Sequence, residues 1–176
     1  MANKDTCAQR LMTVQNNYLL GLASVVLLRN DVTRQSLRTA EGDFGGFAIK
    51  FDEVEAYFAL PVQREDSIRS LALLHLSSLV KDGFELTQHH AKVANKLQQM
   101  RAEPWYQFAR MVRNCIAHSF LFEFRSYDLK LLPATWRGIT IDAGMQSTEL
   151  PSSMFGWAQA WQLFVDIRTF AEQSKI

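Results

Sequence analysis

Trp105-Tyr106-Gln107-Phe108-Ala109-Arg110-Met111-Val112-Arg113-Asn114-Cys115-Ile116-Ala117-His118-Ser119-Phe120 is the stretch whose periodicity decides how the rest of the chain is read. It follows Pro104, which suits the first turn of a helix because the N–H that proline lacks would have no partner there. At helical spacing, Phe108, Met111, Val112, Cys115, Ile116 and Ser119 fall on one side and predict a core face. Arg110, Arg113, Asn114, Ala117 and His118 fall on the other. Asn114 and His118 stand one above the other, Arg110 extends the row, and Arg113 lies on its flank. Outer helix faces are usually filled with Glu, Lys and Gln; this one carries arginine, an amide and an imidazole, and no acid. It has the composition of a site rather than of a solvated surface.

The spacing Arg113-Asn114-Cys115-Ile116-Ala117-His118 resembles the R-N-x-x-x-H form of the Arg-x4-6-His motif of the HEPN superfamily of helical domains. The resemblance implies a motif helix late in a small bundle and a metal-independent endoribonuclease, with a composite active site where two such helices meet across a homodimer. Arg113 and His118 would be catalytic and Asn114 would take the polar position after the arginine. It also implies a setting in toxin–antitoxin, abortive-infection or other anti-phage systems. Many relatives have glycine after the histidine, and this chain has Ser119-Phe120 instead.

The chemistry asked of these residue types is coherent. RNA cleavage without a metal needs a base for the 2′-hydroxyl, an acid for the departing 5′-oxygen and a cation for the crowded phosphorane. Histidine titrates near neutrality and serves as base or acid. Arginine stays charged, and its planar fork matches phosphate oxygens. Asn114 would orient His118 or donate to a phosphate. One chain offers one motif histidine; a dimer offers two, which divides the acid and base roles. The product would be a 2′,3′-cyclic phosphate and a 5′-hydroxyl. Arg110 is an auxiliary phosphate contact, and Arg125, Lys130 and Arg137 are expected as a basic, RNA-binding lip beside His118. Trp105 and Tyr106 could stack on bases. No metal site or cofactor is expected.

The bounds of the chain agree with one globular domain over residues 1–176. Apolar residues are 48% and charged residues 21% of its 176, and the formal net charge is +1. Such a balance argues against a nucleic-acid coating protein but permits a local basic cleft. Cys7 and Cys115 make neither a zinc spacing nor a disulfide framework, which suits a reducing cytoplasm. The longest uncharged apolar run, Tyr18 to Leu28, is too short to span a bilayer and reads as a buried part of the first helix, so no membrane is expected.

Along the chain, helices are predicted from about Asp5 to Arg29, near Thr33 to Thr39, and from Arg64 to Lys81. Gly83 interrupts or kinks the last of these before it continues over Glu85 to Met100. Glu41 to Gly46 reads as a connecting loop, and Phe47 to Leu60 reads either as strand or as helix before Pro61 ends it. Leu121 to Phe124, Asp128 to Leu131 and Gly138 to Asp142 read as short strands. A last helix follows Pro151-Ser152-Ser153, with Ser153 as cap. The expected fold is mainly α: a HEPN-like bundle with a small β-hairpin or meander between the motif helix and the C-terminal helix.

Other candidates read as structural. His75 suits a satisfied core or interface position, His89 and His90 the surface. Asp52, Glu53 and Glu55 suit a solvated face or a helix start, and Arg29-Asn30 is a decoy with no histidine after it. The competing function is a non-catalytic HEPN-like module that binds nucleotide or RNA, or assembles with a nucleotidyltransferase or a defence complex. An antitoxin is a further possible partner of the ribonuclease.

Overall fold

A computed structural model describes residues 6–43 and 45–176. The chain is mainly helical. It falls into two compact units, one made of the segment up to Asn16 with Leu76–Ile176, the other of Asn17–His75. Helices α1 (Cys7–Arg29) and α4 (Pro61–Val93) contribute to both.

The larger unit is built around α6 (Tyr106–Ala117), which buries Tyr106, Phe108, Ala109, Met111, Val112, Cys115 and Ile116. Phe108 stacks on Trp136 with ring centroids 5.3 Å apart, and Gln88 Nε2 donates to the Tyr106 hydroxyl at 3.2 Å. Leu79, Val80 and Phe84 of α4 and Leu163, Phe164 and Ile167 of α8 (Trp157–Gln173) are also buried in this unit. The core face predicted for α6 is present except at Ser119, which lies beyond the helix end and is exposed. Short α5 (Leu97–Ala102) precedes α6.

After α6 the backbone turns sharply. Ser119 and Phe120 both have positive φ, 57° and 64°, the left-handed region that glycine enters most easily. Leu121 to Phe124 forms no regular strand; it pairs through one antiparallel bridge, Leu121 with Glu149. Asp128 to Leu131 is a second correction, because α7 (Ser126–Leu129) takes its first two residues and a turn takes the other two. Asp128 bends back to accept from the Arg125 N–H at 3.0 Å and closes a helical turn. The expected hairpin consists of β3 (Ala134–Trp136) and antiparallel β4 (Ile139–Ile141), with Trp136 opposite Ile139. A 3₁₀ turn, Ala143–Met145, follows. Helix α8 starts at Trp157 with Gly156 as its cap, so Ser153 is not the cap. The Gly156 N–H is taken by Gln159 Oε1 at 3.1 Å, which fixes the start without a serine.

Gly83 does not break α4. A Cβ there would stand 2.9 Å from Phe164 Cδ2, so the glycine is a close-packing point between helices. Pro61 opens α4 rather than merely ending what precedes it, in keeping with the preference of proline for a first turn.

In the smaller unit, Val25 packs with Ile68 and Ala72, flanked by Leu28 and Leu71. The His75 ring lies directly over Gly21, where any Cβ would collide with it. This is the packed histidine that the sequence suggested. Asn30 accepts from the Thr33 N–H at 3.1 Å and caps α2 (Asp31–Ser36). Glu41 to Gly46 is more than a loop. Its first residues form β1 (Glu41–Asp43), paired antiparallel with β2 (Ala48–Lys50). The ambiguous 47–60 segment resolves into both alternatives, β2 and then α3 (Asp52–Phe58), with Asp52, Glu53 and Glu55 in the first helical turn. The run from Tyr18 to Leu28 is largely not buried: Leu19, Leu20, Val26 and Leu27 are 45–69% exposed. By length and composition alone, α1 is long and apolar enough to cross a membrane, which the expectation drawn from Tyr18 to Leu28 excludes.

Candidate active site at the end of helix α6

Helix α6 ends at Ala117, and His118 is its C-terminal cap, with its N–H still bonded to the Asn114 carbonyl at 3.1 Å. The imidazole is 43% exposed and so open to a substrate. Its Nδ1 lies 3.3 Å from Oε2 of Glu123, a residue carried back to it by the left-handed Ser119-Phe120 turn. A carboxylate on Nδ1 fixes the ring and leaves Nε2 as the working nitrogen.

One turn earlier on α6, Arg113 is half-buried and held from two directions. Nε donates to Glu85 Oε1 of α4 at 2.9 Å, and Nη2 donates to the same oxygen. Nη1 donates to Asn114 Oδ1 at 3.0 Å. Arginine has five N–H donors, so this bracing leaves N–H groups of Nη1 and Nη2 for a phosphate. The Asn114 amide NH₂ also remains a donor.

The structure brings Arg113 and Asn114 into direct contact and places His118 on the next turn. Arg110, Arg125 and Lys130 gather around α7: Arg110 pairs with buried Asp128 and lies 5.0 Å from the Tyr127 ring centroid, Arg125 precedes α7, and Lys130 follows it, exposed. Arg137 goes elsewhere. It pairs with Asp166 of α8 at 2.9 Å and covers Trp136 at 5.3 Å. The expected basic lip of Arg125, Lys130 and Arg137 is therefore not assembled within one chain, because Arg137 is held by Asp166. Trp105 and Tyr106 are 4% and 3% exposed and present no ring for stacking.

An outer face without acids becomes, once folded, a face on which Arg110, Arg113 and His118 each meet a carboxylate from another segment: Asp128, Glu85 and Glu123. Nothing local in the sequence links Glu85 to Arg113, since 28 positions separate them. Glu123 was findable, as an acid just beyond the histidine in a segment bound to turn back. An open cleft of about 410 Å³ lined by Glu103, Trp105, Trp136, Arg137 and Asp166 does not include Arg113 or His118.

Comparisons of the chain with family models, with characterised proteins and with solved structures give no match.

Proposed function

We propose that the chain is a metal-independent endoribonuclease of HEPN type, cytoplasmic and homodimeric, that cuts RNA by attack of the 2′-hydroxyl on the adjacent phosphate. The observation that carries this reading is the exposed His118, steadied at Nδ1 by Glu123, one helical turn from an Arg113–Asn114 pair braced by Glu85. In this mechanism one His118 takes the 2′-hydroxyl proton through Nε2. The imidazolium so formed is stabilised by Glu123 and by the negative end of the α6 dipole. The His118 of a second copy protonates the leaving 5′-oxygen, and Arg113 holds the phosphorane oxygens through its free N–H groups. The product has a 2′,3′-cyclic phosphate and the released strand a 5′-hydroxyl. A toxin–antitoxin, abortive-infection or anti-phage role is the biological setting of this proposal. The test is chemical analysis of RNA ends after incubation with the wild-type chain: cyclic phosphates support the reading, and 3′-hydroxyl ends contradict it.

A second reading is favoured by one specific observation. Arg110, Arg113 and Arg137 all have carboxylate partners already, as a structural helical module would require. In that case Arg113 and His118 contact nucleotide or RNA without cutting it, or meet a nucleotidyltransferase or defence partner. RNA retention with no cleavage by the wild-type chain separates this reading from the first.

A further inference from the structure

Helix α1 has two apolar faces. Tyr18, Gly21 and Val25 are buried, while Leu19, Leu20, Ala23, Val26 and Leu27 form a second stripe on the outside. A helix apolar on opposite sides is one whose outer side is meant to be covered. We propose that this stripe is a self-association surface, on which α1 of a second copy of this chain docks antiparallel across a twofold axis at Ala23.

The residue order carries the choice of occupant. Ala23 is small and exposed. Leu20 and Val26 stand at i−3 and i+3 from it, Leu19 and Leu27 at i−4 and i+4, and Asn16 and Asn30 lie equidistant beyond them. The stripe is thus a near-palindrome: polar, large, small, large, polar. A twofold interface is self-complementary, each residue meeting the partner of its own symmetry mate. An antiparallel crossing at Ala23 sets Leu19 and Leu20 of one copy against Val26 and Leu27 of the other and leaves the asparagines at the wet margins. The stripe contains no charge, so no like-charge pair forms at the axis.

Lipid fits less well. Although α1 as a whole is long and apolar enough to cross a membrane, its outward apolar stripe from Leu19 to Leu27 covers only about 13 Å at the helical rise. The opposite face of α1 is committed to protein through Gly21 beneath His75 and Val25 against Ile68 and Ala72. The smaller unit also needs cover. Its buried cluster of Val25, Ile68 and Ala72, with Tyr18 and Phe58 also buried in the same unit, is a small core for the 59 residues from Asn17 to His75. The stripe offers on the order of 450 Å² per copy, about 900 Å² for the pair and below the range of stable specific interfaces, so the expected dimer is weak, reversible and concentration-dependent. The proposal stands apart from RNA cleavage and does not depend on it.

Two helices packed about 8–10 Å apart bring Cα atoms facing each other at the axis to roughly 4–5.5 Å, within reach of a disulfide. The test is oxidation of full-length Ala23→Cys, with Ser24→Cys as the off-axis control. Both native cysteines are buried and do not compete. The expected result is a covalent dimer of Ala23→Cys formed at least tenfold faster than that of Ser24→Cys, and lost when Leu20→Glu is added. Leu20 is 66% exposed, so its substitution does not threaten folding. Equal cross-linking of the two cysteines, or cross-linking that survives Leu20→Glu, overturns the proposal. So does a wild-type chain that sediments as a monomer at high micromolar concentration, with or without binding to phosphatidylcholine–phosphatidylglycerol vesicles.

Discussion

Glu123 Oε2 stands 3.3 Å from His118 Nδ1, although the helix that carries His118 has already ended and two left-handed residues intervene. The carboxylate is there because the chain reverses at once after α6. If it positions the imidazole for proton transfer, Glu123→Gln keeps the fold and slows cleavage by about tenfold, well short of the loss from removing the base itself. Initial rates on an oligoribonucleotide, with KM unchanged and kcat lowered, are the expected pattern. Unchanged kcat makes the pair a surface contact only.

Gly83 looks replaceable on helix propensity, since alanine is favoured by about 1 kcal/mol in a helix interior. Packing reverses the sign. An added Cβ meets the fully buried Phe164 ring at 2.9 Å, and overpacking of this kind costs about 1–3 kcal/mol. Gly83→Ala is therefore expected to lower the urea midpoint, and a raised midpoint counts against this account of the α4–α8 contact.

Cys115 lies on the core face of α6, and burial pushes its thiol up to about 12 from 9.0. A raised thiol value means less thiolate at any working pH. At pH 8 the thiolate population is about a thousandfold below that of a thiol at the ordinary value. Cys7 is shifted up as well, chiefly by burial. Iodoacetamide at pH 8 is expected to leave both unmodified in the native chain and to label both in 6 M guanidinium. Fast native labelling, read by mass spectrometry, contradicts the buried placement.

His90 is shifted down from 6.5, first by burial and then by the neighbouring charges of His89 and Arg10. Its Nε2 is buried without a hydrogen-bond partner among the described residues. The folded state then binds this proton less readily than the unfolded state does. Stability is complete above 6.5 and is lost as pH falls through the lower folded value. His90→Gln is expected to make Tm fall less between pH 7.5 and 5.5 than in the wild type; an identical fall removes His90 as a cause.

Local periodicity made the α6 core face, the long helices and strand β4 legible in the sequence, whereas β3, Ala134–Trp136, lies outside the expected strands. It failed where tertiary contacts decide. Asp128 turned an expected strand into α7 because its carboxylate could cap Arg125 and pair with Arg110. Gly83 read as a kink because the sequence does not show Phe164 arriving from α8. Within the candidate site, Arg113, Asn114 and His118 were visible from spacing on one helix, whereas Glu85 comes from another. Arg137 was drawn toward His118 by sequence proximity, yet Asp166 and Trp136 hold it.

In the proposed function, His118 cuts RNA without a metal. This is tested most directly by incubating a mixed cellular RNA pool in EDTA with the folded, full-length chain, wild type against His118→Ala, and sequencing the cyclic-phosphate ends. New 2′,3′-cyclic phosphates are expected with the wild type, and a loss of at least about a hundredfold with His118→Ala. Equal cleavage by both chains, or none by either, contradicts the proposed function.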